Sequence, residues 1–107
     1  MRSANLKARA EELTEPWKPV VVAEASGFQV KVVRLHGEFP MHSHEAQDEL
    51  FLCLSGEFDI ELEEAESVTL KSGDVFVVPA GRRHRPVARK PATAALFEPA
   101  ETRQYGD

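Results

Sequence analysis

The chain has 107 residues, which is enough for one domain with a sizeable core and too short for two. A net charge of −5 argues against a nucleic-acid partner, because phosphate binding needs a basic face. A single cysteine, Cys53, excludes an intramolecular disulfide and is typical of a reducing compartment. The stretch 1–13 is charged throughout, and no apolar run approaches the roughly 20 residues of a membrane span. We therefore expect a cytoplasmic protein without a membrane segment.

A short helix is predicted at the N-terminus, where Ser3 is a suitable cap and Pro16 a suitable stop. Its predicted span ends at Leu13, and Trp17 is expected to plug one end of the domain or to form a subunit contact. Strands rich in β-branched residues are predicted to follow at 20–24 and 28–35, with a turn between them at 25–27.

The strand predicted at 48–55 says most about which side chains share a face. Successive side chains on a strand point to opposite faces, so if Glu49 faces the interior, Phe51 and Cys53 face it as well. Three leucines then face outward and need a cover, either from the N-terminal segment or from a second subunit. These are Leu50, Leu52 and Leu54.

The rest of the chain reads as further strands, about eight in all, so the fold class is predicted to be all-β. The strand at 57–63 alternates apolar and acidic residues, which indicates one buried and one solvated face. The stretch 74–78 is apolar on both faces and is expected at the centre of a sheet or at an interface. Other strands are predicted at 67–71, 84–88 and 93–98, the last two separated by a basic turn at 89–91.

The spacing of two histidines indicates a metal site. His42 and His44 are separated by one residue, and on a strand side chains at i and i+2 share a face, so the two imidazoles would form a pair of metal ligands. Glu49 has the opposite parity, so the chain must bend across 45–48 to bring its carboxylate to the same place. That stretch is short and polar, which favours a bend.

A third histidine follows a predicted turn. Residues 78–81 have proline at the second turn position and glycine at the fourth, which is the preference of a type I turn. The chain is expected to reverse there and to present His84 inward. Three histidines and one glutamate would then meet from two separate segments.

These residues and their spacing resemble the two motifs of the cupin superfamily. The matching residues are Gly37, His42, His44, Glu49 and Gly56 in the first motif, and Gly73, Pro79, Gly81 and His84 in the second. The gaps agree, except that four residues rather than five separate Gly37 from His42. Ala88 stands where the second motif has asparagine, which is not usually a ligand in the family.

The resemblance implies a single-domain cupin-type β-barrel, or jelly roll, with a short N-terminal helix. We expect a helix and arm at 1–19, the barrel at 20–100, and at 101–107 a polar tail that lies on the surface or reaches a partner. The resemblance also implies one divalent transition metal ion, held by His42, His44, Glu49 and His84. Such a ligand set suits Fe, Mn, Ni, Cu or Zn and leaves coordination positions open to water or substrate.

Substrate contacts are predicted more weakly. Arg82 and Arg83 could clamp an anion, because a guanidinium matches carboxylate or phosphate with two hydrogen bonds, but a solubilising loop paired with the acidic strand is the alternative. Gln47 could hold a ligand or substrate through its amide, against the alternative of a plain loop residue. Phe51 could line a pocket, and core packing explains it equally well.

The function that the resemblance implies is a small metalloenzyme acting on a small polar or anionic metabolite, of dioxygenase or sugar-phosphate isomerase type. Short cupins of this kind are often labelled as mannose-6-phosphate isomerase-like. The alternative is a non-catalytic, metal-dependent ligand-binding or sensor protein, since no general base has a fixed place and no catalytic residue can be assigned. A barrel with a vestigial metal site is a third alternative. The apolar outer faces predict a two-fold homodimer.

Overall fold

The computed structural model describes residues 2–107, and within them one helix, α1 (Leu6–Glu11), precedes the strands. Asn5 caps α1, because its side-chain oxygen accepts a hydrogen bond from the backbone N–H of Ala8 at 2.8 Å. The helix predicted from Ser3 to Leu13 is therefore too long at both ends. The extended backbone of Asn5 sets the true start.

Seven strands follow within residues 2–107, and all their pairings are antiparallel. They are β1 (Val20–Ala25), β2 (Phe28–Glu38), β3 (Glu49–Ser55), β4 (Glu57–Leu62), β5 (Val68–Lys71), β6 (Val75–Val78) and β7 (His84–Pro99). The order across the sheet is β1-β2-β7-β3-β6, and β4 pairs with both β5 and β7. The predicted all-β barrel with one short helix is confirmed.

The longest strand, β7, replaces two predicted ones. Its first part pairs with β4, and its second part lies between β2 and β3. The predicted turn at 89–91 is wrong because these residues stay in the strand and lie opposite the single residue His36 of β2, where the register shifts. The basic residues therefore form a bulge, which bends a strand without ending it. This is why seven strands are found where about eight were predicted.

The core lies on the inner face of the barrel. Phe51 and Cys53 are buried beside Glu49 on β3, as the alternation predicted, while the leucines between them are half-buried. Helix α1 packs on β2, β3 and β7, and its Ala10 is fully buried, so the N-terminal segment supplies part of the outer cover. The core contains Val33, Leu35, Phe58, Ile60, Leu70 and Leu96 besides the two β3 residues.

Strand β6 lies at the sheet edge rather than at its centre, which corrects one of the two positions expected for it. Its Val75 and Val77 are 59% and 46% exposed, so the apolar outer face has no cover within this chain at that edge. In the part of the chain that the structure describes, no helix is long and apolar enough to cross a membrane.

Candidate metal centre

Four titratable side chains meet inside the barrel. His42 and His44 lie in the loop between β2 and β3, Glu49 begins β3, and His84 begins β7. Each offers one ligand atom, and these atoms all lie within 4.8 Å of one another. All four side chains are buried, with residue exposures between 1% and 6%. The predicted convergence of three histidines and one glutamate is found.

Backbone hydrogen bonds hold the two segments together. His42 and His84 form an isolated antiparallel bridge in which each backbone N–H donates to the other residue's carbonyl at 2.9 Å. Gly81 donates its N–H to the carbonyl of His44 at 2.8 Å, and Asp48 accepts from the N–H of Ala80 at 2.8 Å. The histidine pair therefore lies on a tied-down loop rather than on a regular strand.

Both connecting segments turn near where the sequence predicts. The chain bends at residues 45 and 46, inside the polar stretch expected to bend. The second turn runs from Pro79 to Arg82, whose N–H donates to the Pro79 carbonyl at 3.1 Å, one residue later than predicted. Gly81 takes a positive φ of 82° at its third position, which glycine adopts without the strain of a larger residue.

Two of the three imidazoles have a defined orientation. The Nδ1 atoms of His42 and His84 lie 2.9 Å from the carbonyls of Pro40 and Arg82, so each Nδ1 carries the proton and donates it. Each Nε2 is then the basic nitrogen in the neutral ring, which is how a histidine is prepared for a metal. The Nε2 of His84 lies 3.0 Å from Glu49 Oε1.

The third imidazole is left without such a partner. Both ring nitrogens of His44 are buried and find no hydrogen-bond partner among residues 2–107, and the nearest contact, Nε2 to Glu49 Oε1, is 3.5 Å. Burying a polar atom without a partner costs about 1–3 kcal/mol. A metal ion bound by the cluster would satisfy this nitrogen, so the residues present fit a metal.

The charge states also suit a cation. Burial lowers the pKa of His42, which keeps that ring neutral. The carboxylate of Glu49, 3.5 Å from Nε2, raises the pKa of His44. Burial opposes ionisation of Glu49, but the contacts of its carboxylate with His44, His84 and Glu98 outweigh burial and lower the pKa of Glu49. The cluster thus provides a carboxylate and the neutral ring of His42, which are forms in which these groups bind metals.

A cavity opens beside the cluster and has mostly apolar walls. It is lined by Trp17, Pro19, Lys31, Val33, Leu35, Phe39, His42, Glu49, Phe51, Pro86, Leu96, Glu98 and Gln104. Its volume is about 40 Å³, room for about three water molecules.

Of the four residues predicted more weakly to contact a substrate, one lines the cavity and three do not. Phe51 lines the cavity. Arg82 donates to the backbone carbonyl of Glu63 at 2.8 Å and Arg83 pairs with the Glu63 carboxylate at 3.3 Å, so both guanidinium groups lie at the end of β4, outside the cavity lining. Gln47 is half-buried in the β2–β3 loop and also lies outside that lining.

Two charged residues in the cavity were missed by the sequence analysis. Lys31 of β2 and Glu98 of β7 form an ion pair, with 2.9 Å between Nζ and Oε1. Burial, and then the neighbouring Glu49, raise the pKa of Glu98 to about 7. A signal was present, because Lys31 and Glu98 stand two residues from the inward-facing Val33 and Leu96 and therefore share their face of the sheet.

The C-terminal tail covers the histidine loop. Asp107 accepts a hydrogen bond from the N–H of Glu45 at 2.8 Å and donates its own N–H to the Ser43 carbonyl at 3.0 Å. The Tyr105 ring stacks on Phe39 with 4.9 Å between centroids. The tail lies on the surface, which is one of its two expected locations, and packs there on the chain's own candidate site.

An antiparallel barrel with a buried cluster of three histidines and a glutamate defines a class of small metal-site proteins. The chain belongs to the cupin family, since residues 31–98 match the model of the cupin domain. The YdbB protein of Bacillus subtilis (strain 168), whose name calls it uncharacterized, is 35% identical over 81 residues, which cover 76% of this chain and 72% of that protein.

Solved structures agree with this assignment. A cupin-2 domain containing protein from Shewanella frigidimarina NCIMB 400 superposes with a TM-score of 0.85 at 31% identity, over 90% of this chain and 93% of that one. The hydroquinone 1,2-dioxygenase PnpCD, solved with Cd²⁺ and 4-hydroxybenzonitrile, gives a TM-score of 0.74 at 21% identity, over 100% of this chain and 82% of that one. At that identity the second likeness extends to the fold alone.

Proposed function

We propose that this cupin binds one divalent transition metal ion through His42, His44, Glu49 and His84. The observation that carries the proposal is the buried ring of His44, whose nitrogens lack a hydrogen-bond partner among the described residues although ligand atoms of the other three lie within 4.8 Å. Imidazole and carboxylate donors suit Fe, Mn, Ni, Cu and Zn alike.

We further propose that the protein is a metalloenzyme acting on a small metabolite. When bound, the metal would supply a Lewis acid or a centre for oxygen activation. The chain's own residues orient His42 and His84 through backbone carbonyls and exclude water with the apolar walls of the adjacent cavity. These features support a substrate bound beside the cluster.

Of the two reaction types considered, the cavity favours the dioxygenase type over the sugar-phosphate isomerase type. A sugar phosphate needs cationic and hydrogen-bonding groups around it, but Arg82 and Arg83 lie outside the lining. Aromatic and aliphatic side chains make up most of the walls. This preference rests on the walls and not on the likeness to a hydroquinone dioxygenase.

The second candidate, a non-catalytic ligand-binding protein, is favoured by one observation. Lys31 and Glu98, the charged residues of the cavity outside the four predicted ligands, are already paired with each other. A proton-transfer role for either would require this pair to open.

The metal proposal is tested by metal content. Wild type, the double variant His42→Ala/His84→Ala and the control His36→Ala are purified without chelators, incubated with Fe(II), Mn(II), Ni(II) and Zn(II), desalted and analysed by emission spectrometry. We expect about one ion per chain in wild type and in the control, whose exposed histidine lies outside the cluster, and near zero in the double variant. Equal, near-zero content in all three would overturn the proposal.

The enzyme proposal is tested by turnover. Oxygen uptake by the Fe(II)-loaded protein is measured with thiols, diketones and phenolics, alongside an isomerase assay on sugar phosphates. We expect oxygen uptake with at least one of the first three classes. Tight binding of one metabolite with turnover of none would favour the ligand-binding protein instead.

A further inference from the structure

The ion pair on the cavity wall has a defined place in the sheet. Lys31 pairs with Leu96 across β2 and β7, and Glu98 pairs with Gln29, so Lys31 and Glu98 are diagonal neighbours. Their side chains meet with 2.9 Å between Nζ and Oε1, and both line the cavity together with Glu49. Neither belongs to the two cupin motifs.

Glu98 is buried and Lys31 is half-buried, and one oxygen of the Glu98 carboxylate lacks a hydrogen-bond partner among the described residues. Glu98 is 3% exposed as a residue, and the Lys31 side chain is 16% exposed. The second carboxylate oxygen of Glu98, Oε2, is buried and finds no hydrogen-bond partner within residues 2–107. A buried carboxylate oxygen that accepts nothing carries a desolvation cost that its protein environment does not offset.

Stability does not explain why such a pair is present. Replacing a buried ion pair with apolar side chains of similar volume is often neutral or stabilising. The strand neighbours Val33 and Leu96 already form an apolar wall around this position. A polar group with an unpartnered atom in an otherwise apolar wall is the usual arrangement by which a pocket orients a ligand.

We propose that Lys31 and Glu98 form a recognition site for a hydroxyl group, so that the cavity takes a small molecule with an apolar body and a hydroxyl at its inner end. Glu98 Oε2 accepts the hydroxyl hydrogen, while Lys31 holds the carboxylate in place through Oε1. The aromatic residues Trp17 and Phe39, which pack 5.0 Å apart, hold the apolar body. This inference deepens the proposed function and rests on it for the ligand's place beside the metal cluster.

The local charges select against an anionic ligand. Glu49 and Glu98 are two carboxyl groups against the single ammonium of Lys31, which is already engaged. In the metal-free protein, a phosphate or carboxylate entering the cavity would meet these carboxyl groups, and the one ammonium among the lining residues, that of Lys31, is already paired with Glu98. A neutral hydroxyl donor has no such penalty, because a carboxylate oxygen is an acceptor.

Phenol and anisole test the proposal, because they share a ring but only phenol can donate a hydrogen bond. Trp17 is the single tryptophan of the chain and lines the same cavity, so its fluorescence reports ligand entry. At a pH above 8, where Glu98 with its pKa of about 7 is ionised, we expect phenol to bind at least about tenfold more tightly than anisole to both the metal-loaded and the metal-free protein, since a hydrogen bond to a charged group contributes about 1.5–3 kcal/mol. Equal affinities in the metal-free protein would overturn the inference.

A double variant tests whether the preference for phenol over anisole depends on Lys31 and Glu98. Lys31→Met/Glu98→Leu removes both charges together and so leaves neither buried alone. We expect its phenol affinity to fall to its anisole affinity, while the surface control Arg9→Met/Glu12→Gln keeps the wild-type ratio. If the double variant fails to fold by circular dichroism, Glu98→Gln is used, and we expect it to reduce the ratio at least about threefold. A wild-type ratio in a folded variant would contradict the inference.

Metal content, measured in the same samples, separates this inference from the proposed function. Loss of the hydroxyl preference with about one ion per chain retained supports the recognition site and leaves the metal centre intact. A hydroxyl preference that appears only with metal bound would assign the hydroxyl to the metal and overturn the role of Glu98.

Discussion

The three histidines of the cluster differ in the hydrogen bonds that orient their rings. Backbone carbonyls of Pro40 and Arg82 orient His42 and His84 through Nδ1. His44 has only a 3.5 Å contact with Glu49. Two rings are therefore preorganised by the chain, and the third would find its partner in a bound metal ion.

The raised pKa of Glu98 predicts how the stability of the protein depends on pH. In the unfolded chain its pKa is the ordinary 4.5, and in the folded protein it is raised to about 7. The folded state therefore holds the Glu98 proton more strongly, so this contribution to stability is complete below pH 4.5 and is lost as the pH rises through 7. We therefore expect the free energy of unfolding of the metal-free protein to decrease from pH 5 to pH 8 as Glu98 loses its proton. The measurement is a urea titration at each pH.

The variant Glu98→Gln isolates this effect. It cannot ionise, so its unfolding free energy should fall less than that of wild type over the same range. Glu49, whose folded pKa is lowered, acts in the acid range below 4.5 and does not contribute here. The pKa values of His42 and His44 shift in opposite directions, so their contributions oppose each other. Parallel pH profiles for wild type and variant would count against the raised pKa.

At the scale of elements, the C-terminal tail positions the loop that supplies two of the predicted ligands. Gly106 has a positive φ of 87°, and a Cβ added there would lie 2.5 Å from the Ser43 carbonyl oxygen and 3.1 Å from the His42 Cβ. The tail thus packs on the histidine loop at a distance that only glycine permits.

Gly106→Ala should displace the tail and loosen this loop. We expect the metal affinity to fall about tenfold, within the range seen when groups that support metal ligands are removed. The measurement is a competition titration with a chromogenic chelator. Gly73→Ala is the matched control, because Gly73 has a similar φ of 91° but nothing within 4 Å of an added Cβ.

The control should lower the stability by about 1–2 kcal/mol, the cost of a left-handed residue, and leave the metal affinity unchanged. An equal loss of affinity in both variants would mean that backbone strain, and not the tail contact, is responsible.

At the scale of the whole molecule, the outer face of the barrel is apolar and only partly covered. Cross-strand pairs place Val77, Leu50 and Phe97 in one row, and Val75 and Leu52 in the next. Val75, Val77 and Phe97 are exposed, while helix α1 covers the neighbouring part of the sheet. Exposed apolar surface at a sheet edge is suited to pairing with another copy.

We therefore predict a homodimer that buries this face. Light scattering at micromolar concentration should give about twice the chain mass of 11.9 kDa, and Val75→Lys/Val77→Lys should shift the protein to monomer, because each lysine would have to be desolvated in the interface. Glu66→Lys adds the same net charge on an exposed loop and should remain dimeric. A monomeric wild type would contradict the prediction.

The family, the positions of strands β1 to β6 along the chain and the four residues of the buried cluster were all predictable from the sequence. Motif spacing places His42, His44, Glu49 and His84 in two short segments, where local bends and turns decide direction. Strand alternation also predicted that Glu49 and Phe51 share the inner face, since the period of 2 is a local property.

Only the tertiary structure shows which residues that are distant in the sequence line the cavity together. Lys31 and Glu98 are 67 residues apart and meet only because β2 and β7 pair in one register. The same pairing keeps 89–91 within β7, and the contact of the tail with Ser43 likewise joins residues that are far apart in the chain. Sequence patterns report which face of a strand a side chain occupies, whereas register and strand neighbours depend on packing across the whole sheet.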